Sequence, residues 1–220
     1  MAPLSITASI VEQLRIHIIV GVLKPGQKLN EVQLSSLLGI SRPPLREAFR
    51  VLENEKLIAS VSRKGSYVTE ISLKDCQEIF EVREILECAA VDLLKAKGIK
   101  TLPEVALALE KAADIPVPTA SDPHKRFQYL KTVDGFHLKL VASAGNSRLM
   151  HLYNSIFACM ARYQAMYMYQ ARLMNRAHEV HENILNSIQK ADYAKAKSLL
   201  SAHIFGFLDL MKKKMSRKPS

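Results

Sequence analysis

Apolar residues return every third or fourth position along most of the chain, and the interruptions of that rhythm mark its organisation. Over residues 9–20 (SIVEQLRIHIIV), Ile10, Leu14 and Ile18 give a helix one buried side, and Gly21 with the turn Leu23-Lys24-Pro25-Gly26 ends it. The stretch LSSLLGISRPPLREAFRVL (34–52) then reads as a short helix, a tight turn at Gly39-Ile40-Ser41 and a second helix from Arg42. On that second helix Leu45, Ala48, Phe49 and Leu52 fall at i, i+3, i+4 and i+7, a buried stripe. Arg42, Arg46 and Arg50, spaced by four, form a second stripe beside it. Ser41 is predicted to cap the helix through its hydroxyl, and Pro43 and Pro44 fall in the first turn, where a missing N–H costs little. Two strand-like runs, 57–61 and 66–69, flank the basic turn Ser62-Arg63-Lys64-Gly65. Three helices followed by a basic hairpin make a winged helix-turn-helix, and an arginine-striped helix behind a glycine turn suits a DNA major groove. The alternative for this helix taken alone is a solvated amphipathic surface.

From residue 71 onward strand-like runs cease. Ser72 is predicted to cap a helix over 73–97 with Ile79, Val82, Leu86 and Ala90 on one face, and Gly98 ends it. A shorter helix follows over 103–113, and the proline-rich segment 114–123 is a loop. Further helices are expected over 124–144, 147–170, 175–190 and 193–211, broken at Gly145-Asn146 and Ala191-Asp192. The expected fold is therefore mainly α, with a winged helix-turn-helix over residues 1–71 and an all-α antiparallel helical bundle over 72–220.

Composition narrows the function. The chain has 220 residues, 48% hydrophobic and 24% charged, which is ordinary for a globular protein. A net charge of +10 points to a polyanionic partner, although Lys212-Lys213-Lys214 supply part of it from a terminal run. No run of about 18 apolar residues and no signal-peptide pattern is present, so a cytoplasmic protein without a membrane partner is expected. Cys76, Cys88 and Cys159 lack metal-like spacing and read as reduced core thiols. No glycine-rich phosphate loop appears.

The segments GVLKPGQKLNE, LGISRPPLREAFRVLENEKLI and RKGSYV, in this order and spacing, resemble the GntR family of bacterial transcription regulators. The resemblance implies that Arg42, Arg46 and Arg50 lie at the groove with Ser41, and that Lys64 and Gly65 tip the wing. Pro43 departs from the threonine common in that family, and Val32 from a basic residue found in some members. The second half is similar to the FCD ligand-binding domain of the FadR branch, through EVREILECAA, GFHLKLVASAGN and HENILNSIQKADYAKAKSLLSAHI. That similarity implies a helical bundle with an internal effector pocket, and a homodimer.

The histidines of FH, H-x-x-I-L and A-H are His137, His181 and His203. Neutral imidazoles bind zinc, nickel and related divalent ions, and helical bundles build such sites from inward side chains. Many FCD domains add an aspartate four residues before the first histidine, but here that position is Val133. Asp134, three residues before His137, is the substitute considered; water or an effector carboxylate is another. The alternative is a polar pocket without metal. His178 shares a helix face with His181 and reads as polar surface, while His17, His124 and His151 have no evident partner. Arg83 occupies the arginine of E-V-R-x-x-L-E, and the resemblance turns it toward the cavity, where it would bind a carboxylate; an ion pair with Glu87 at i+4 is the alternative. Tyr163, Tyr167 and the run 166–169 are candidates to line the cavity, with ordinary core as the default, and Arg162 is a candidate second anion contact.

The leading expectation is a ligand-responsive transcription regulator, a repressor, that binds a near-palindromic double-stranded DNA operator as a homodimer and responds to a small carboxylate. Two alternatives stand beside it: a metal-dependent hydrolase built on the bundle histidines, and a DNA-binding protein whose helical half only dimerises. The first lacks a general base paired with an open metal position in the sequence.

Overall fold

The computed structural model of the chain describes residues 5–118, 122–166 and 171–216. Ser5 caps α1 (Ile6–Ile19), and the chain continues through β1 (Lys28–Leu29), α2 (Glu31–Leu38), α3 (Arg42–Asn54), β2 (Ile58–Val61) and β3 (Gly65–Val68). The strands form one antiparallel sheet in the order β1-β3-β2, with Lys28 opposite Tyr67 and Ile58 opposite Val68. The wing is therefore three-stranded: β1 is two residues long, too short to show alternation in the sequence.

Asn30 caps α2 by accepting from the N–H groups of Val32 and Gln33, and Gly39 closes it at φ +64°, a left-handed turn that costs glycine nothing. Ser41 occupies the N-cap position of α3 but makes no capping hydrogen bond. The donors such a hydroxyl uses belong to the second and third helical residues, and these are Pro43 and Pro44, which have no N–H. The expected cap is absent for that reason. Leu45, Ala48, Phe49 and Leu52 are buried as the periodicity predicts.

The helical half comprises α4 (Leu73–Ala96), α5 (Pro103–Asp114), α6 (Pro123–Val133), α7 (Gly135–Ser143), α8 (Ser147–Ala165), α9 (Ala171–Gln189) and α10 (Tyr193–Met215). α10 packs against α4 and α9, and α4 also meets α7 and α8. Two expectations change. Val82 is 42% exposed, because the inward face of α4 runs through Phe80, Arg83, Glu87 and Val91 instead. The single helix expected over 124–144 breaks at Asp134-Gly135, where the Asp134 carbonyl accepts from the N–H groups of both His137 and Leu138.

Two apolar cores result. One lies within the bundle, around Phe80, Val91, Phe136, Leu140 and Ile204. The other joins the two halves: Leu14, Leu45, Phe49 and Leu52 of the winged helix share it with Leu130 of α6 and with Ala158, Ala161 and Ala165 of α8. Small residues on α8 let α1 approach closely. Polar ties reinforce the seam. Arg162 donates from Nη1 to Thr69 Oγ1 at 2.6 Å and from Nη2 to the Thr69 carbonyl at 2.7 Å. Within the helical half, the Tyr163 hydroxyl donates to Asp75 Oδ2 at 2.5 Å, at the start of α4. Arg162 thus serves the joint between the halves and Tyr163 ties α8 to the start of α4, neither of them lining the cavity, while Tyr167 and the rest of 167–169 lie outside the described residues. Cys76 and Cys88 are buried free thiols, and the partly buried Cys159 donates to the Glu55 carbonyl at 3.1 Å.

Candidate functional site

Opposite its buried stripe, α3 exposes Arg42, Arg46 and Arg50, with Ser41 exposed at its start. Arg46 donates through Nε to Glu31 Oε2 of α2 at 2.8 Å, and Arg50 approaches Glu47 Oε2 through Nη1 at 3.3 Å. Lys64 and Gly65 are exposed at the tip of the wing, where Gly65 adopts φ +101°. A cationic helix face and a cationic hairpin tip thus project from one small scaffold.

The second site is a cavity of about 370 Å³ in the bundle, lined by Arg83, Asp134, His137, Gln164, His181 and His203. His137 comes from α7, His181 from α9 and His203 from α10, and one ring nitrogen from each lies within 4.8 Å of the others. The Nε2 atoms of His181 and His203 are 3.1 Å apart. Below them Glu87 is fully buried and receives three donors: Arg83 Nε at 2.7 Å and the Tyr153 hydroxyl at 2.9 Å on Oε1, and His137 Nδ1 at 2.7 Å on Oε2. A carboxylate can only accept here, so the His137 proton sits on Nδ1 and the Nε2 lone pair is left for the cluster.

Arg83 satisfies both readings of its place: it lines the cavity and pairs with Glu87. Its Nη2 also reaches Asp134 Oδ1 at 3.4 Å, and Gln164 Nε2 donates to that same oxygen at 2.8 Å. Asp134 does not join the histidine cluster, because the break after it turns its carboxylate to Arg83 and Gln164. Its second oxygen, Oδ2, is buried without a partner, one of two such side-chain atoms among the described residues. A buried carboxylate oxygen without a donor is costly, and a donor or cation entering the cavity would satisfy it.

Burial sets the protonation of these groups. It pushes the Asp134 carboxyl up to about 6, against the pull of Arg83 and Gln164. It holds His137 and His181 well below the ordinary imidazole range and His203 at about 4, helped by the Arg83 charge in each case. Burial also pulls at the Arg83 guanidinium, but Glu87, Tyr153 and Asp134 outweigh it and the net shift is upward. At neutral pH the cluster is three neutral imidazoles, the form that binds metal. Three nitrogen donors with room for a further ligand fit a borderline divalent ion such as zinc or nickel.

His178 points to Glu182 at 3.4 Å, apart from the cluster. The sequence reading missed Tyr153, Gln164 and Arg176 as site residues, and took Glu87 only as a rival partner for Arg83. Tyr153 and Gln164 are eleven residues apart on α8, three helical turns, so a shared inward face was detectable. Arg176, exposed at the cavity edge, has no such signal.

The FCD domain profile matches residues 78–206, more than half of the chain, and the profile for bacterial regulatory proteins of the gntR family matches residues 6–68. The chain belongs to the GntR family and carries an FCD domain. GntR-family relatives agree along most of its length. It is 29% identical over 196 residues to the HTH-type transcriptional regulator YdhC of Bacillus subtilis (strain 168), covering 87% of this chain and 84% of that one. It is 26% identical over 209 residues to the HTH-type transcriptional repressor GlaR of Escherichia coli (strain K12), covering 92% and 94%. The gluconate operon transcriptional repressor of Bacillus licheniformis is 28% identical over 176 residues, covering 80% and 69%. Among solved structures, a GntR transcriptional regulator from Rhodococcus sp. RHA1 shares the fold with a TM-score of 0.75 at 22% identity, covering 97% of this chain and 99% of that one. As a member of the GntR family the protein is a DNA-binding transcription regulator, not an enzyme, with the winged helix-turn-helix expected from the sequence followed by a helical FCD domain. No described helix is long and apolar enough to cross a membrane.

Proposed function

We propose that the protein is a homodimeric, ligand-responsive repressor whose FCD cavity holds a small carboxylate through a divalent metal on His137, His181 and His203. The observation that carries this reading is the convergence of three neutral imidazoles within 4.8 Å beside a buried guanidinium. The repressor names of GlaR and of the gluconate operon relative support the sign of control. Without a metal the buried charges of Arg83, Glu87 and Asp134 leave little attraction for an anion. A bound divalent ion supplies the positive centre that a carboxylate needs. Arg83 then orients the ligand, Glu87 fixes the His137 tautomer, and Arg42, Arg46, Arg50 and Lys64 face the operator. Control requires that the ligand bind the operator-competent and operator-incompetent arrangements unequally.

Titration of the metal-free protein with zinc and nickel by calorimetry, followed by native mass spectrometry, tests this directly. One ion per chain, lost in His181→Ala with the fold intact, supports the reading. Tight binding that survives His137→Ala, His181→Ala and His203→Ala together removes it. Sedimentation of the same samples should give twice the chain mass, and a monomer bound to operator would overturn the dimer.

A further inference from the structure

We propose that Glu31 is a specificity-determining positioning residue: it holds Arg46 by its Nε edge so that the two terminal nitrogens present to a guanine in the major groove. Glu31 opens α2 and Arg46 lies on α3, so their 2.8 Å contact crosses the helix-turn-helix at its outer surface. The geometry of the contact matters more than its strength. A guanidinium reads guanine with two parallel N–H donors to O6 and N7. The bond to Glu31 uses Nε and leaves Nη1 and Nη2 for that pair. A long side chain docked in this way loses less rotamer freedom when it meets the base.

The other two arginines of the stripe lack this arrangement. Arg50 approaches Glu47 of its own helix through Nη1 at 3.3 Å, which occupies a nitrogen that base reading needs. Arg42 has no ion pair among the described residues. Both suit phosphates, which need charge and no fixed orientation. Affinity does not account for a glutamate at this position. Its pair with Arg46 is exposed, 63% at the arginine and 31% at the glutamate, and such pairs contribute little to stability. A carboxylate on a surface that meets phosphates also repels them. What Glu31 supplies is discrimination.

The inference rests on α3 being the groove-entering helix, and one experiment separates the two claims. Wild-type, Arg46→Ala and Glu31→Gln full-length proteins are each used to select duplexes from a random pool, and binding to an unrelated duplex is measured beside it. Arg46→Ala is expected to erase the preference at one base pair in each half-site. Glu31→Gln is expected to weaken that same preference about fivefold, the lower end of what one bidentate base contact confers. Binding of Glu31→Gln to the unrelated duplex should be unchanged or tighter. If Glu31→Gln keeps the preference that Arg46→Ala erases, Glu31 does not position the arginine. If Glu31→Gln weakens selected and unrelated DNA equally, its role is only to join α2 to α3, and the proposal falls. If Arg46→Ala leaves every preference intact, the assignment of Arg46 to the bases fails, and the proposal with it.

Discussion

Glu87 shows how much one side chain can organise: three donors from three helices meet on a carboxylate with no solvent contact. If it fixes the tautomer of His137, Glu87→Gln should weaken zinc binding by about 10–100-fold in a calorimetric titration, the usual penalty for losing such a partner. Tyr153→Phe, which removes one donor and leaves the His137 contact, should change zinc affinity far less. The same cluster sets a pH response in the metal-free protein. His203 is held at about 4, against an ordinary 6.5, so its contribution to stability is complete above pH 6.5 and is lost as pH falls toward 4. Over that interval the unfolded chain takes the proton first, at a cost of up to about 3 kcal/mol. His137 and His181 act in the same direction. Asp134, raised to about 6, opposes them, because the folded protein takes its proton first as pH drops below 6. Three imidazoles outweigh one carboxyl, so urea midpoints should fall between pH 7 and pH 5, and Asp134→Asn should steepen the fall. A midpoint that rises on acidification contradicts this balance.

Among the elements, α3 carries a testable oddity. An N-cap serine ordinarily contributes about 1 kcal/mol, but Ser41 has no donor to accept from. Ser41→Ala should therefore cost less than about 0.5 kcal/mol in urea unfolding, while in a Pro44→Ala background, where an N–H returns to the third helical position, it should cost about 1 kcal/mol. Equal costs in the two backgrounds would refute the explanation. The case also marks the limit of what the sequence makes legible. The stripes of α3 were readable because helical periodicity is local, and Leu45, Ala48, Phe49 and Leu52 are buried as expected. The cap is not legible from Ser41 alone, because a cap needs donors and Pro43 and Pro44 supply none. The break at Asp134-Gly135 was missed because it follows no proline and lies inside a run with helical periodicity. The histidine cluster was legible through motif resemblance alone, since His137 and His203 are 66 residues apart and nothing local joins them. The place of Asp134 depended on that break and was legible from neither source.

At the scale of the whole molecule, the seam between the halves is a core and not a linker. Leu130, Ala158, Ala161 and Ala165 complete the apolar interior of the winged helix, and Arg162 grips Thr69 just beyond β3. Ala161→Leu overfills this seam and should lower stability by about 1–3 kcal/mol while unfolding stays a single transition. Hydrogen exchange read separately at residues 45–52 and 80–91 checks this, and two well-separated transitions would show that the halves fold independently. This seam is not legible in the sequence, because the alanines of α8 look like ordinary helix formers until α1 is packed on them.

That seam bears on how such regulators can be recombined. A chimera cut between β3 and α4 would transplant a DNA-reading head without the floor on which it rests. The floor belongs to α6 and α8, and their neighbouring residues Asp134 and Gln164 also line the cavity. A workable exchange has to move head and floor as one piece, or rebuild the contact surface of the new host around Leu130 and Ala161. The DNA-reading surface and the bundle cavity are therefore inherited less independently than the two family profiles suggest.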